Sequence, residues 1–256
     1  MPSTRLSIRQ ATLTALLAAP LLASAQVTLK PDNKWRYLFT AGANAATGNN
    51  ESVALNLTGE AARVSAIDKW TFLGQGAYAH SDGETQTERF ALGTQYTRDL
   101  TPVWFGFGSA DGLRDKLANL SSRLSVASGV GYHVIKNDLT TFDVSGGLGY
   151  SRDRFIEPTE IDGSVRDGYG RLELVLAEES NHKLTQTTSL RQRLALYPNL
   201  RDTGAYRASF DTNVTVAMTQ SMNLTAGLSV RYNSDPGAGV KKTDAMFVTG
   251  VSFRFD

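Results

Sequence analysis

The sequence predicts an all-β fold, an antiparallel transmembrane β-barrel of about 12 strands in an up-and-down meander. The last stretch, Thr243–Asp256, alternates between an uncharged face that ends in aromatic residues and a face with glycine, serine and arginine. From Lys34 onward, about twelve such segments follow one another, each near the roughly 9 to 11 residues that a tilted membrane strand needs. Their apolar faces carry no charge at mid-strand, where a lipid-facing arginine or lysine costs roughly 2 to 4 kcal/mol.

The first residues are typical of a secretory signal peptide, Met1–Ala25. Two arginines precede an apolar run, and Ala23-Ser24-Ala25 provides a small-x-small cleavage pattern. A short membrane anchor is the alternative, but the run is short and Pro20 interrupts it. The predicted organisation is therefore a signal peptide over 1–25, a periplasmic segment over 26–33 and an outer-membrane barrel over 34–256, exported through the Sec pathway of a Gram-negative bacterium.

The composition agrees with a barrel and argues against several other classes. The chain is 41% hydrophobic and 20% charged, with a mean hydropathy of -0.24, because half of each barrel strand faces polar surroundings. It has no cysteine, which excludes disulfides and thiolate metal sites. The 26 basic residues include two in the signal peptide, which leaves 24 against 25 acidic residues, a balance that argues against nucleic-acid binding. A soluble β-sandwich also alternates, but it does not explain the signal peptide and the terminal aromatic strand together.

Turn-forming residues separate the first six strands, at Gly48-Asn49-Asn50, at Ser81-Asp82-Gly83 and at Pro102. Taken two residues at a time, each strand has one face that suits lipid. The predicted outward residues are Trp35, Tyr37, Phe39, Ala41 and Ala43; Val53, Leu55, Leu57 and Ala61; Trp70, Phe72 and Tyr78; Phe90, Leu92, Thr94 and Tyr96; Val103, Phe105 and Phe107; and Leu124, Val126, Val130 and Tyr132.

The last six strands show the same alternation, and the eighth is predicted to be the shortest. The predicted outward residues are Phe142, Val144, Leu148 and Tyr150; Leu172, Leu174 and Leu176; Leu184, Leu190, Leu194 and Leu196; Tyr206, Ala208, Phe210, Val214, Val216 and Met218; Met222, Leu224, Leu228, Val230 and Tyr232; and Ala245, Phe247, Thr249, Val251, Phe253 and Phe255.

Connection lengths and aromatic residues predict the orientation of the barrel. The three longest predicted connections, about Ser109–Asn119, Ser151–Arg166 and Asn233–Lys242, all follow odd-numbered strands. Bacterial barrels have short periplasmic turns and long outer loops, so both chain ends are predicted to lie in the periplasm. Outward aromatic residues also gather at two heights, as interfacial girdles do. The low girdle is Trp35, Trp70, Tyr96, Tyr132 and Phe255, and the high girdle is Tyr78, Tyr150, Tyr206 and Tyr232.

Residues 123–154 resemble the core of the salt-induced outer-membrane protein family, which is defined by domain of unknown function 481. Two strands carry the resemblance, Gly129-Val130-Gly131-Tyr132 and Gly147-Leu148-Gly149-Tyr150, together with the turn Thr47-Gly48-Asn49. The resemblance implies an outer-membrane barrel and a link to salt or osmotic conditions, but no catalytic residue or ligand. The terminal strand is similar to closing strands that the barrel-assembly machinery recognises, although Asp256 follows the final phenylalanine.

Inward positions are predicted to be rich in arginine, and five arginines on strands eight to eleven are expected to form one wall. The lumen-lining candidates are Arg89, Arg123, Arg171, Arg191, Arg193, Arg207, Arg231, Glu173, Asp211 and Asp143. Such a lumen favours a small anionic solute if it is open. Alternatively, the arginines pair with Glu60 and the other carboxylates and fill a barrel whose backbone diameter is roughly 24 Å.

A barrel enzyme that acts on phospholipid or lipopolysaccharide, such as a lipase or deacylase, is the alternative hypothesis. The chain has three histidines that such an enzyme could use, and they are predicted to lie at the outer rim (His80), in the lumen (His133) and in a periplasmic turn (His182). No serine and acid partner is evident for His80, so a triad is not predicted. Glu157, Glu160 and Asp162 offer the oxygen ligands that calcium prefers, but charged loops are usually just solvated.

The expected protein is therefore a narrow or plugged channel and not an enzyme. It has no predicted catalytic residue, cofactor or metal. Its expected surroundings are outer-membrane lipid and lipopolysaccharide, it binds no nucleic acid, and it is expected to act as a monomer.

Overall fold

Twelve antiparallel strands close into a single barrel in the computed structural model, which describes residues 31–46, 52–81, 84–116, 118–161, 163–202, 204–236 and 241–255. Every strand pairs with its neighbours in the chain, and the first pairs with the last. The strands are β1 (Trp35–Ala46), β2 (Ser52–Val64), β3 (Asp68–Ser81), β4 (Glu84–Asp99), β5 (Trp104–Asp115), β6 (Leu120–Lys136), β7 (Thr140–Ile161), β8 (Ser164–Lys183), β9 (Thr188–Pro198), β10 (Tyr206–Ala217), β11 (Met222–Asn233) and β12 (Thr243–Phe255).

The predicted fold class, strand number and meander order are confirmed. Large hydrophobic residues such as Leu57, Leu124 and Phe247 are exposed on the outside of the barrel, whereas polar residues such as Gln75 and Thr225 are buried inside it. This distribution is the reverse of a soluble protein and suits a barrel that spans a membrane. In the described segments, no helix is long and apolar enough to cross a membrane. The predicted signal peptide and the Thr47-Gly48-Asn49 turn lie outside the described residues.

The predicted orientation of β5 is wrong. Val103, Phe105 and Phe107 were expected to face lipid, but Phe105 is only 6% exposed inside the barrel, and Trp104 is the outward residue. Both alternating sets of this strand contain aromatic side chains, so the pattern alone is ambiguous. Packing decides between them: the Phe105 ring lies over the His133 ring at 4.7 Å, in space that a side chain at Gly131 would occupy.

Two of the three long predicted loops are strands instead. The region Ser109–Asn119 is largely β5, and Ser151–Arg166 is a β-hairpin in which β7 and β8 extend to Ile161 and Ser164. Strand β8, predicted to be the shortest, has 20 residues. Beyond the membrane both faces of a strand meet polar surroundings, so the hydrophobic alternation stops while the backbone pairing continues. A bulge between Arg154 and Thr159 is the main irregularity of the hairpin.

Aromatic rings gather at both predicted girdles. At one end Trp70 contacts Tyr96 with ring centroids 5.6 Å apart, and Trp104 joins this girdle by contacting Tyr132 at 5.1 Å. At the other end, Tyr206 and Tyr232 are 5.3 Å apart. These amphipathic rings suit the two membrane–water interfaces.

Five connections of one design lie at the same end of the barrel as the start of β1, and we call this the turn end. The backbone N–H of the first turn residue donates to the carbonyl oxygen three residues later. Its side-chain oxygen accepts from the N–H groups two and three residues later, at 2.8 to 3.3 Å. The first residues are Ser65, Thr101, Asn137, Thr185 and Thr219. The opposite end, with the β7–β8 hairpin, is the loop end.

Removing one of these side chains is expected to weaken its turn measurably. Asn137→Ala deletes two hydrogen bonds to backbone N–H groups and should lower the free energy of unfolding by about 1 kcal/mol, because exposed donors recover bonds to water. Urea unfolding of the refolded barrel measures this change. Asp138→Ala, which alters the same turn without removing those bonds, is the control and should have a smaller effect.

Candidate functional site in the barrel lumen

The lumen is lined by the inward residues of all twelve strands, and the ten predicted candidates all lie on this inner face. Strand alternation places them there, because every second side chain points inward. One row joins neighbouring strands in direct register. From β11 to β6 it runs Ser229, Asp211, Arg193, Glu179, Asp143 and His133. This row thus mixes acidic and basic groups, and Glu179 and Asp143 are neighbouring acids within it.

At the loop end, Asp153 is the centre of a buried ion cluster. Its side chain is nearly inaccessible, with 1% of the residue exposed. Arg123 donates to both carboxylate oxygens of Asp153, from Nε and Nη2, each at 2.6 Å. Arg171 donates to the same carboxylate from β8. Two arginines therefore share one acid, and their guanidinium groups are held against the wall by a residue on the strand between them.

A second network at the loop end is centred on Glu173, which is the next inward residue after Arg171 on β8. Arg207 on β10 donates to both Glu173 oxygens, at 3.0 Å from Nε and 2.6 Å from Nη2. Ser151 donates to Glu173 at 2.8 Å and contacts Ser125 at 2.9 Å. The Arg207 guanidinium also lies over the Tyr197 ring, 5.4 Å from its centroid. Charge-assisted bonds of this kind are short and strong, so the network fixes this part of the wall.

Between the two ends, a third cluster is less completely paired. Arg191 donates to Glu179 at 3.1 Å, whereas Arg193 approaches the same carboxylate only to 4.0 Å. Arg231 donates to Asp211 at 2.8 Å. Three arginines share two carboxylates, and the side chain of Arg193 is 36% exposed, more than the side chain of any other paired lumen arginine that the structure describes. Arg193 is thus the basic group most open to the lumen interior among these pairs.

Acidic groups stand on the opposite side of the lumen. Asp111 on β5 interacts electrostatically with Arg193, four strands away around the barrel. Arg89 on β4 pairs with Asp115 at 3.5 Å and interacts with Arg231 and Asp244 on the far wall. Charged groups on opposite walls therefore lie within electrostatic range of one another across the lumen.

His133 is the centre of a polar cluster at the turn end. One ring nitrogen contacts Asp143 at 2.7 Å, and the other contacts Asp99 at 3.2 Å. Lys136 donates to Asp99 at 2.6 Å. The cluster connects β4, β6 and β7, and the Phe105 ring covers it from β5. The alternative of a plugged lumen pairs Asp143 with an arginine, but its partner in the structure is this histidine.

At the entrance beside β1, Arg36 holds Asp32, which precedes the barrel. Two guanidinium nitrogens donate to the two carboxylate oxygens, at 2.9 and 2.5 Å. These hydrogen bonds lower the pKa of Asp32 to about 2. The carboxylate is consequently ionised throughout the physiological pH range, and the pair persists there.

Several carboxylates that shape the site are not among the predicted lumen residues, namely Asp99, Asp111, Asp115, Asp153, Glu179 and Asp244. Asp111, Asp115 and Asp153 fell in predicted loops, and Asp99 and Asp244 at strand ends. Glu179 lies beyond the part of β8 that alternates clearly. The charges of the lumen are therefore more nearly balanced than the sequence predicted, because Glu179 and Asp244 lie beside the arginines of β8 to β11 and Asp111 lies across the lumen from them.

The structure offers no support for the hydrolase alternative. Among the described residues, no hydroxyl group hydrogen-bonds to His80 or His133, and both ring nitrogens of His133 contact carboxylates. His182 contacts the Thr140 hydroxyl at 3.4 Å, at the turn end. No group of three or more metal-binding side chains occurs in the part of the chain that the structure describes. Asp162 of the suggested calcium loop lies outside it.

Fold and lumen together define a transmembrane β-barrel with a charged interior. The chain belongs to the family described as "Protein of unknown function, DUF481", whose model matches residues 39–255. This match confirms the resemblance found in the sequence. The "Uncharacterized protein YdiY" of Escherichia coli (strain K12) is 22% identical over 198 residues, which cover 77% of this chain and 74% of that protein.

Solved barrel structures are similar to this chain at low sequence identity. The NanC porin is 9% identical with a TM-score of 0.45, over 86% of this chain and 96% of that one. The KdgM porin, solved in complex with disordered oligogalacturonate, is 8% identical with a TM-score of 0.45, over 87% and 100%. The translocator domain of the autotransporter NalP from Neisseria meningitidis is 13% identical with a TM-score of 0.47, over 88% and 90%.

Proposed function

We propose that the protein is a narrow channel for small hydrophilic solutes, with a preference for anions. The observation that carries the proposal is the cluster of three arginines and two carboxylates between the barrel ends, with Arg193 exposed to the lumen and Asp111 facing it. A charged constriction of this kind selects ions by the sign of its net charge and by the field between its walls.

The two ion networks at the loop end support an open lumen, with arginine side chains along its wall, rather than a lumen that these side chains fill. Arg123, Arg171 and Arg207 bond to carboxylates on β7 and β8, one or two strands away. Such bonds hold long side chains along the wall and leave the centre to water. A twelve-stranded barrel has a backbone diameter of roughly 24 Å, and the long side chains along its wall narrow the remaining path to one for small solutes.

The proposed location is the outer membrane of a Gram-negative bacterium, reached through the Sec pathway after removal of 1–25. The transmembrane barrel and the five short connections at the turn end support this location, because bacterial barrels keep their short turns in the periplasm. The closing strand β12 is the proposed recognition signal for the barrel-assembly machinery. A closed strand ladder needs no partner chain, so we propose a monomer.

A role in the response to salt or osmotic conditions is a further part of the proposal and comes from the family resemblance alone. If the role is correct, deletion of the gene should change growth or survival after a shift in external salt. A deletion strain that behaves as the parent at every salt concentration would contradict it.

Single-channel recording of the refolded mature chain in a planar bilayer tests the channel proposal. The reversal potential in a potassium chloride gradient should show a preference for chloride. Arg193→Gln removes the most accessible positive charge of the cluster and should lower the chloride-to-potassium permeability ratio by about twofold. Asp111→Asn should change the ratio in the opposite direction.

Arg98→Gln is the matched control, because it removes the same charge from an exposed outward position at the turn end of β4. Its permeability ratio should equal that of the parent chain. A folded barrel that gives no conductance would overturn the proposal, and so would an Arg193→Gln variant with the parent's selectivity.

A further inference from the structure

We propose that a basic cleft on the outer surface of the loop end binds the phosphate groups of lipopolysaccharide. This surface is separate from the lumen and adds a lipid-binding site to the proposed channel. The inference depends on the proposed outer-membrane location, because lipopolysaccharide occupies the outer leaflet of that membrane.

The position of two arginines along β7 places the cleft at headgroup height. Tyr150 belongs to the high aromatic girdle and faces outward, and Arg152 and Arg154 are the next exposed outward residues on the same strand. Successive outward residues are about 7 Å apart along a strand. The guanidinium groups therefore follow directly after the aromatic belt, where acyl chains end and phosphorylated sugars begin.

The cleft itself has a volume of about 740 Å³. Arg152, Arg154, Arg166 and Arg201 line it together with Tyr150 and glycines of β8. Gly170 pairs with Arg152, and its lack of a side chain leaves room for the Tyr150 hydroxyl, which would lie 2.6 Å from an added Cβ atom. A larger residue at this position would have to displace Tyr150.

The charge of the cleft differs from that of the lumen. Four arginines line it against two carboxylates, those of Asp167 and Asp202. Among the described residues, the ion pairs at the loop end are those of lumen arginines and the pair between Lys116 and Glu88, and none includes the four arginines of the cleft. Arg166 instead lies over the Tyr169 ring at 5.6 Å. Arg152, Arg154 and Arg201 are exposed.

Exposed arginines without a carboxylate partner, beside an apolar surface, fit a phosphorylated lipid. Arginine binds phosphate in a bidentate manner, and several arginines in one cleft can hold more than one phosphate. The apolar strand surface below the cleft, with Leu148 and Leu172 exposed, would contact the acyl chains of the same molecule. A free inorganic anion would bind the arginines but would not contact this apolar surface.

Binding of lipid A to the full mature chain, refolded in detergent, tests the inference. Native mass spectrometry would compare bisphosphorylated lipid A with lipid A from which both phosphates have been removed. The parent chain should bind the phosphorylated form, and Arg152→Gln with Arg154→Gln should weaken this binding by about tenfold or more. Arg98→Gln with Arg63→Gln, at outward positions of the turn end, is the control and should bind as the parent does.

Three results would overturn the inference. The first is equal binding of lipid A by the double variant and the parent chain. The second is equal binding of phosphorylated and dephosphorylated lipid A. The third is complete competition by inorganic phosphate at the concentration of the lipid, which would show a simple anion site. Each comparison uses folded barrel only, as judged by the heat-modifiable mobility shift of barrels in electrophoresis.

Cell-surface labelling tests the proposed orientation of the barrel independently of lipid A binding. The chain has no cysteine, and Val165 at the tip of the hairpin is 73% exposed, so Val165→Cys gives one labelling site. An impermeant maleimide should label it on intact cells if the loop end faces outward. Labelling only after cell lysis would overturn the orientation, and with it the biological basis of the site, whereas failed lipid A binding with surface labelling would overturn the site alone.

Discussion

Replacing Asp153 with asparagine is expected to destabilise the barrel by about 3 to 5 kcal/mol. The carboxylate accepts hydrogen bonds from Arg123 and Arg171 and is only 1% exposed. An asparagine retains the shape but removes the negative charge, so two largely buried guanidinium groups, 18% and 9% exposed, are left close together without a neutralising group. The loss should appear as a lower midpoint in urea unfolding, followed by tryptophan fluorescence, with an unchanged slope.

Asp211→Asn provides the matched comparison. This carboxylate also bonds an arginine, Arg231 at 2.8 Å, but both side chains are partly exposed to the lumen. Solvent screens such a pair, so its loss should cost only about 1 kcal/mol or less. Replacing Arg123, Asp153 and Arg171 together by Met, Leu and Met should recover most of the stability lost in Asp153→Asn, because no buried charge remains. Equal midpoints for Asp153→Asn and the parent would contradict the buried cluster.

The sequence was sufficient for the fold because the lipid imposes a simple rule on every strand. Outward residues must be apolar, and alternation then identifies each strand and its inner face. The rule fails where both faces of a strand carry apolar residues and where a strand extends beyond the lipid. In β5, aromatic residues occupy both alternating sets, and the orientation depends on space left by Gly131 on the next strand. In β7 and β8, the strands continue beyond the lipid, where nothing selects apolar residues.

Alternation alone also does not show which carboxylates pair with the lumen arginines. Alternation was enough to place Arg191, Arg193 and Arg231 inside the barrel. Their partners depend on register between strands, which a single sequence does not show. Asp153 lies in a predicted loop, although in the structure it is the most buried carboxylate of the loop end. The resulting excess of positive charge in the predicted lumen came from omitted acids, which in the structure lie beside the arginines, as Asp153 and Glu179 do, or across the lumen from them, as Asp111 does.

The second large effect is expected at Gly147, within one of the two Gly-x-Gly-Tyr segments. Gly129 and Gly147 are directly opposite one another in β6 and β7. A Cβ atom at Gly147 would lie 2.2 Å from the Ser128 carbonyl oxygen and 2.8 Å from the Gly129 Cα atom. Both are backbone atoms of a paired strand, so they cannot move without loss of ladder hydrogen bonds. Gly147→Ala should therefore destabilise the barrel by about 3 kcal/mol, the upper range for overpacking.

Gly146→Ala is the control that separates this contact from a general cost of removing glycine. It lies one residue earlier and faces outward, where an added Cβ would meet the Leu176 side chain at 3.7 Å, an ordinary contact. Alanine also restricts the unfolded chain more than glycine does, so this variant should be neutral or slightly more stable. Urea unfolding of both variants in the same detergent measures the difference. If the two variants unfold at the same urea concentration, close backbone approach is not what requires glycine in this motif, and the conformation of the strand itself must be the reason.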